Sequence, residues 1–174
     1  TELCTSTLQH EMATRGILDD RRRYKLLREM LLALELIHSN DMVHLDIKPE
    51  NIFIRNDMYK LGDFGLVSKI TRVLQSDGIT VRIQHGDDVE EGDSRYMSRE
   101  LLSSGDYPDL TKSDIFSLGA TVYETCFFGK SLPANGQGWH DLRNGMLGDL
   151  PTYKLKVLLS EMMHSDPSQR PDAK

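Results

Sequence analysis

Apolar residues recur every three or four positions along residues 20–39, and this spacing predicts an amphipathic α-helix. The residues of its predicted buried face are Leu26, Leu27, Met30, Leu31, Leu34 and Ile37. The basic residues of the stretch lie largely off that face, at Arg21, Arg22, Arg23, Lys25 and Arg28. Asp19 or Asp20 can cap the start of the helix, and Asn40-Asp41 follow as a stop signal.

Three more helices are predicted later in the chain. The first is strongly apolar and is expected to be buried, and its apolar residues are Ile115, Phe116, Leu118, Val122, Tyr123 and Phe127. Thr111 or Ser113 lies near its start, and Gly129 lies just past its end. The apolar residues of a short third helix are Trp139, Leu142 and Met146. The fourth helix ends before Asp166-Pro167 and contains Leu155, Val157, Leu158, Leu159, Met162 and Met163.

The apolar pattern fails between residues 71 and 92, where glycines and acidic residues accumulate. These residues are Gly78, Gly86, Asp87, Asp88, Glu90, Glu91 and, just beyond, Asp93. Such a composition predicts a mobile loop. Its acidic residues can face a basic patch on a substrate or can simply be solvated, and both interpretations stay open.

A short β-hairpin is predicted between the two main helical regions. Residues 52–54 form an apolar, β-prone run, and residues 58–61 follow across the turn pair Asn56-Asp57. Because a hairpin returns the chain to its starting end, Asp63 is predicted to lie beside Asn51. An amide oxygen and a carboxylate would then converge where a hard cation can bind.

Composition narrows the class of protein. A chain of 174 residues with 39% hydrophobic content is long enough to bury a real core. The formal net charge of −6 provides no basic stripe for nucleic acid, and no apolar run is long enough to span a bilayer. Cys4 and Cys126 lack a paired spacing, so a soluble protein of a reducing intracellular compartment is expected. The histidines show no zinc-ligand spacing, so a zinc site is not expected.

Two short polar motifs carry the candidate chemistry. Residues 44–51 read His-Leu-Asp-Ile-Lys-Pro-Glu-Asn, and twelve positions after Asn51 the chain reads Asp63-Phe64-Gly65. Each motif alone has low specificity. Their joint occurrence at this separation resembles the catalytic loop and the metal-binding turn of protein kinases.

Two further segments match protein kinases in the same order, at residues 98–100 (Ser-Arg-Glu) and 112–119 (Lys-Ser-Asp-Ile-Phe-Ser-Leu-Gly). The resemblance covers nearly the whole chain and implies a partial protein kinase domain over residues 1–174. The implied fold is mainly α: the hinge and the large C-terminal lobe, with a short β-hairpin beside the catalytic loop and an activation segment over residues 63–100. The N-terminal lobe is expected to be absent, so the chain alone is expected to be inactive.

The resemblance also implies roles for four residues. Asp46 would accept the proton of the attacking hydroxyl, and Lys48 would place a positive charge on the γ-phosphate. Asn51 and Asp63 would hold Mg²⁺, and the implied cofactors are therefore ATP and Mg²⁺. The plain alternatives are a surface lysine at position 48 and a turn residue at position 51.

Other residues resemble the supporting parts of a kinase. His44 is interpreted as a core histidine that braces the loop, and Phe64 as a packing residue. Glu100 and Arg170 resemble the pair that ties the activation segment to the last helices. Asp114 resembles the Asp that accepts hydrogen bonds from the catalytic-loop backbone, with a simple helix N-terminal charge as the alternative.

Residues 1–4 resemble the kinase hinge, whose backbone binds adenine. The backbone around Glu2 and Cys4 is therefore a candidate nucleotide contact. The alternative for Cys4 is a small buried residue, and a reactive thiol is not indicated.

Within the protein kinases, four features most resemble the Wee and Myt family: Leu45 and the segments 91–96, 132–136 and 139–143. These kinases inhibit cyclin-dependent kinases. The resemblance implies transfer of the ATP γ-phosphate to a tyrosine of a cyclin-dependent kinase, and in the Myt branch also to an adjacent threonine. Mitotic entry would be delayed. A monomer located in the nucleus or cytoplasm is expected.

The chain also departs from common kinase patterns. Leu45 replaces the Arg that gathers a phosphorylated activation loop in many kinases, so activity is predicted not to need that phosphorylation. Residues 75–88 resemble an insertion, and Ser98-Arg99 replaces the usual small residue and Pro before the Glu. The substrate preference is therefore left open.

Two alternative functions remain open from the sequence. One is a serine/threonine kinase similar to those that phosphorylate a translation-initiation factor, which share segments of the Asn51-Ile52-Phe53 type. The other is a catalytically dead, kinase-like binding module. The intact Asp46, Asn51 and Asp63 argue against the second alternative.

Overall fold

The computed structural model describes residues 3–74, 81–85, 92–102 and 109–174. Helices dominate these residues, and small sheets accompany them. The helices are α1 (Leu8–Arg15), α2 (Asp20–Ser39), α3 (Thr111–Glu124), α4 (Gly136–Arg143) and α5 (Tyr153–Met162). The strands are β1 (Ser6–Thr7), β2 (Met42–Val43), β3 (Ile52–Arg55), β4 (Met58–Leu61), β5 (Ser68–Leu74) and β6 (Val81–His85). No helix in this described part of the chain is both long enough and apolar enough to span a bilayer.

The amphipathic helix predicted over residues 20–39 is confirmed as α2. The Asp19 carboxylate caps it by accepting the backbone N–H of Arg22 at 2.8 Å. Its predicted apolar face is buried except for Leu31, which is half-buried. Arg23 is an exception among the basic residues, because it is only 2% exposed and pairs with Asp20 at 2.7 Å.

The core is built around α3, which packs between α2 and α5. Residues from all three helices form one buried cluster, including Leu34 of α2, Leu118 of α3 and Leu159 of α5. The prediction that the strongly apolar stretch from Ile115 to Phe127 forms a buried helix is therefore confirmed by α3. The approach of α5 is close, because a Cβ at Gly119 would lie 2.8 Å from Cγ of Met163.

The predicted hairpin is also confirmed, with β3 and β4 antiparallel from Ile52 opposite Leu61 to Arg55 opposite Met58. The turn residues Asn56 and Asp57 both have positive φ, at 49° and 62°. Asn and Asp tolerate this left-handed conformation better than other non-glycine residues, so the turn pair permits a tight return.

The predicted mobile loop over residues 71–92 is wrong for residues 71–74 and 81–85, which lie in strands. β5 pairs antiparallel with β6, from Ile70 opposite His85 to Leu74 opposite Val81, and β2 pairs with the start of β5. Apolar and polar residues alternate along β6, but the glycines and acids around it favoured a loop prediction. Residues 75–80 and 86–91, and most of the presumed insertion at 75–88, lie outside the described residues.

Two short elements near the start of the chain were not predicted. β1 pairs with β3, and α1 follows it directly. Thr7 caps α1 by accepting the backbone N–H of His10 at 3.2 Å. Helix α1 is polar apart from Leu8 and Met12, so the periodic signal was weak, and the Thr7 cap was the available clue. The short helix α4 is present, but Met146 lies beyond it and is 64% exposed.

The close contact at Gly119 generates a stability prediction. Gly119→Ala is expected to lower the free energy of unfolding by about 1–3 kcal/mol, because the added methyl group overpacks the contact between α3 and α5. Gly138→Ala is the matched control. Gly138 is exposed in α4, and its Cβ would lie at an ordinary 3.6 Å from Pro133, so a gain of roughly 0.5–1 kcal/mol is expected. Thermal and urea unfolding measure both changes, and equal effects would contradict the packing argument.

Candidate active site

The loop formed by residues 44–51 is suspended from the first turn of α3. The Asp114 carboxylate is fully buried and accepts the backbone N–H groups of His44 at 2.9 Å and Leu45 at 2.8 Å. His38 of α2 lies 2.8 Å from the same carboxylate through Nε2. The prediction that Asp114 holds the catalytic-loop backbone is confirmed. These bonds also retain Leu45 at φ 65°, a conformation that is unfavourable for a leucine.

Three groups converge on the Asp46 carboxylate, which is 9% exposed. Lys48 Nζ lies 3.0 Å and 2.8 Å from its two oxygens, and Asn51 Nδ2 donates to Oδ2 at 2.8 Å. The backbone N–H of Asp93 lies 3.3 Å from Oδ1. Asn51 Nδ2 also donates to the Asp46 carbonyl at 2.9 Å. The carboxylate therefore has a defined orientation, with a cation and an amide at hydrogen-bonding distance.

Asn51 and Asp63 lie at neighbouring ends of the β3–β4 hairpin. The Gly62 N–H donates to the Asn51 carbonyl at 3.0 Å, and Asp63 is the next residue. Asp63 is exposed, has positive φ of 59°, and accepts the Gly65 N–H at 3.4 Å. The backbone thus returns to the starting end of the hairpin, as the turn sequence predicted.

The oxygens in this region suit a magnesium ion. Both hydrogen bonds of the Asn51 amide use Nδ2, and none among the described residues uses Oδ1, which is left as an oxygen ligand. The Asp63 carboxylate is a second candidate ligand and is exposed. Mg²⁺ prefers one or two protein carboxylates together with phosphate oxygens and waters, and this donor set fits that preference.

His44 braces the loop, as predicted. Its ring is fully buried, Nε2 lies 3.1 Å from the Gly62 carbonyl, and Nδ1 accepts the Asp46 N–H at 3.4 Å. The ring therefore links the catalytic loop to the residue before Asp63. Phe64 makes an edge contact with His44 at 5.4 Å between ring centroids, but its side chain is 55% exposed, so it packs on one side only.

Gly92, Asp93 and Arg95 belong to the site although sequence reasoning used them only as family markers or as part of an acidic cluster. A Cβ at Gly92 would lie 2.7 Å from the Leu45 carbonyl oxygen and 3.0 Å from Asp46 Oδ1, so only glycine fits without movement. Asp93 binds the Arg95 guanidinium at 2.6 Å. Burial alone would raise the pKa of Asp93, but the hydrogen bonds from Arg95 outweigh it and hold the pKa below its usual value. The other acidic-cluster residues lie outside the described part.

The end of the segment is fixed by the predicted ion pair. Both Glu100 oxygens bind the Arg170 guanidinium, with Nη2 to Oε2 at 3.1 Å, and both side chains are buried. Ser113 of α3 also donates to Glu100, at 3.0 Å. Burial would raise the pKa of Glu100, but the hydrogen bonds and charge of Arg170 more than offset it and lower the pKa.

The candidate hinge is only partly described. Glu2 lies outside the described residues, and Cys4 is half-buried with a free thiol. The next residue, Thr5, donates its backbone N–H to the Ile54 carbonyl at 3.0 Å, which places this stretch along the edge of the hairpin. The adenine-binding role stays a prediction.

Comparison with known proteins defines the class of this chain. The family described as "Protein kinase domain" matches residues 1–174. The chain therefore belongs to the protein kinase domain family.

The relatives of this chain show which group of protein kinases it is similar to. The chain is 39% identical to a Wee1-like protein kinase of Oryza sativa subsp. japonica, over 96% of the chain and 31% of the relative. It is 36% identical to the Wee1-like protein kinase of Arabidopsis thaliana, over 99% of the chain and 32% of the relative. It is 36% identical to the membrane-associated tyrosine- and threonine-specific cdc2-inhibitory kinase wee-1.3 of Caenorhabditis briggsae, over 98% of the chain and 25% of the relative.

These similarities confirm the resemblance to the Wee and Myt kinases that the motifs predicted. The chain spans between 25% and 32% of the length of these three relatives. The relatives therefore contain long regions that this chain does not match.

The Glu100–Arg170 pair generates a pH prediction. A carboxylate whose pKa is lowered by folding stabilises the fold above its ordinary pKa, 4.5 for Glu, and this stabilisation is lost as the pH falls through the folded-state pKa. Glu100→Gln is expected to cost roughly 3–5 kcal/mol at neutral pH, because Arg170 loses its buried counter-charge. The loss of stability between about pH 5 and pH 3 should also become shallower.

Unfolding measured by urea across this pH range tests the prediction. Glu161→Gln, at an exposed position of α5, is the matched control. It should change neither the free energy of unfolding at neutral pH nor its dependence on pH. A variant at Glu100 that kept the wild-type acid sensitivity would show that another carboxylate is responsible.

Proposed function

We propose that the protein containing this chain is a Wee/Myt-type kinase that transfers the γ-phosphate of ATP to an inhibitory tyrosine of a cyclin-dependent kinase. An adjacent threonine is a second acceptor to be tested. The observation that supports this proposal is the single contact network in which the Asp46 carboxylate meets both Lys48 and Asn51. A plain surface lysine and a plain turn asparagine do not require such convergence.

The chain is proposed to form the hinge and the large lobe of the kinase, with residues 63–100 as the activation segment. The buried helices α2, α3 and α5 and the suspended catalytic loop support this assignment. The glycine-rich loop and the phosphate-pairing lysine of a kinase are not among the motifs of this chain, so they would come from another part of the protein.

Each site residue has a proposed part in the reaction. Asp46 orients the acceptor hydroxyl and takes its proton at a carboxylate oxygen. Lys48, already beside that carboxylate, stabilises the negative charge of the transferring phosphoryl group. Asn51 Oδ1 and the Asp63 carboxylate would hold Mg²⁺, which would neutralise charge on the nucleotide phosphates.

The substrate class rests on the relatives. One relative is named as a tyrosine- and threonine-specific cdc2-inhibitory kinase, and others are named as Wee1-like kinases. We propose a cyclin-dependent kinase as the protein partner, restraint of mitotic entry as the outcome, and a monomer acting in the nucleus or cytoplasm. A serine/threonine kinase of the translation-initiation-factor type remains the competing function.

The first prediction from this function concerns Asp46. In the full-length protein, Asp46→Asn is expected to lower kcat by about 10²–10⁴-fold, because the hydroxyl proton loses its acceptor. Asp149→Asn, at an exposed position, is the control and should leave kcat unchanged. Transfer of labelled phosphate to an inactive cyclin-dependent kinase, followed by phosphoamino-acid analysis, measures both rate and specificity. Phosphoserine alone would refute the proposed specificity, and an unaffected Asp46 variant would refute the catalytic role.

The second prediction concerns activation. Leu45 is apolar and 3% exposed, so it cannot make the charge-assisted contact through which an Arg gathers a phosphorylated loop. Treatment of the full-length kinase with a broad-specificity phosphatase is expected to leave at least about half of the activity. The assay uses the same substrate after removal of the phosphatase. Disappearance of activity, with recovery on rephosphorylation of the loop, would contradict the prediction.

A further inference from the structure

Arg143, at the C-terminal end of α4, is a buried cation. Its residue is 1% exposed, and no salt bridge involves it among the described residues. Burial lowers the pKa of Arg143 to about 9, with a further contribution from nearby Arg99, so the guanidinium is still charged at neutral pH. Such a charge is costly to bury and does not by itself indicate a stabilising role.

Most hydrogen bonds donated by the Arg143 guanidinium go to backbone carbonyls of residues 94–97. These residues are called the 94–97 segment. Nε donates to the Met97 carbonyl at 2.8 Å, and Nη2 donates to the carbonyls of Ser94 at 2.9 Å and Arg95 at 3.1 Å. Nη1 donates within α4 to the Trp139 carbonyl at 3.3 Å. One planar guanidinium therefore fixes three carbonyls within four consecutive residues, a geometry that a single ammonium group cannot reproduce.

Aromatic rings compensate part of the burial cost. The guanidinium carbon lies 3.7 Å from the ring centroid of Trp139 and 5.4 Å from that of Phe116. Trp139 also donates its Nε1–H to the Ser94 carbonyl at 2.8 Å. The same carbonyl thus receives donors from two residues one turn apart on α4, so this helix holds the 94–97 segment from one side.

The 94–97 segment begins next to the Asp46 carboxylate. Asp93 directly precedes it and places its N–H 3.3 Å from Asp46 Oδ1. The metal-ligand candidates Asn51 and Asp63 are instead positioned by the β3–β4 hairpin, which Arg143 does not contact through any described hydrogen bond. A displacement of the segment would therefore change the surroundings of the acceptor hydroxyl more than those of the nucleotide.

We propose that Arg143 is a positioning residue for the protein substrate. By fixing the 94–97 segment, it sets the surface on which the polypeptide carrying the acceptor hydroxyl lies beside Asp46. This inference rests on the proposed phosphotransfer function and adds to it a residue that acts through the backbone rather than by touching substrate.

The test compares two acceptors in the full-length kinase. One is an inactive cyclin-dependent kinase bound to its cyclin, and the other is water, measured as ATP hydrolysis without protein substrate. Arg143→Lys keeps the positive charge but loses the planar set of N–H donors. It is expected to lower kcat/KM for the protein acceptor by about tenfold or more. Its ATP hydrolysis rate and its KM for ATP should stay within about threefold of wild type.

Trp139→Phe is the milder second variant in case the lysine variant does not fold. It keeps an aromatic ring beneath the guanidinium but removes the donor to Ser94, so a decrease of about threefold in the same parameter is expected. Arg23→Lys is the matched control, because Arg23 is also buried but bonds Asp20 and the Thr125 carbonyl instead. It is expected to lower the melting temperature without changing the ratio of the two activities.

The outcomes separate this inference from the proposed function. If wild type transfers no phosphate to the protein acceptor, the proposed function fails. If wild type is active but folded Arg143→Lys and Trp139→Phe keep the wild-type ratio of the two activities, the positioning role is refuted. Equal losses in both activities would assign Arg143 a purely structural role and would also overturn the inference.

Discussion

The site depends on one buried carboxylate, that of Asp114. It is fully inaccessible and binds two consecutive N–H groups of the catalytic loop, while His38 approaches it from α2. A buried charge is tolerated only when its hydrogen bonds are complete. Displacement of the loop backbone would leave the Asp114 carboxylate buried without these bonds, at a large cost in free energy. The same bonds retain Leu45, the residue before Asp46, at positive φ. The rigidity of α3 is thus transmitted to the candidate catalytic group.

Around Asp46, the segment that precedes α3 is fixed at several places. Gly92 and Asp93 contact Asp46 or the residue before it, the backbone from Ser94 onward is bound by α4, and Glu100 is tied to Arg170. Each attachment uses a charged group or a backbone amide in a sparsely solvated place, where hydrogen bonds are stronger and unpaired groups are costly. The site is therefore a single polar network that joins α3 and α4 to the loop, rather than a cavity lined by independent side chains.

Sequence reasoning was most successful where structure is local. The bounds of α2 and the register of the hairpin follow from helical spacing and from the Asn56-Asp57 turn, because both signals act over a few residues. Predictions from the sequence were wrong or missing where local signals conflicted. Glycines and acids hid the alternation of β6, and a weak apolar pattern hid α1. The motifs predicted that the hairpin brings Asn51 and Asp63 to one end, but not that Gly92 and Asp93 lie against Asp46 or the residue before it.

The sequence by itself determined the main helices, the returning hairpin and the proximity of Asn51 to Asp63, because each depends on neighbours within about one supersecondary unit. Tertiary structure alone decided that Asp93 meets Asp46 and that the buried Arg143 binds backbone carbonyls of residues 94–97. Those partners are separated by 47 and 46 residues. No periodicity or turn signal spans such distances, and a contact to a backbone carbonyl leaves no side-chain trace at the accepting residue.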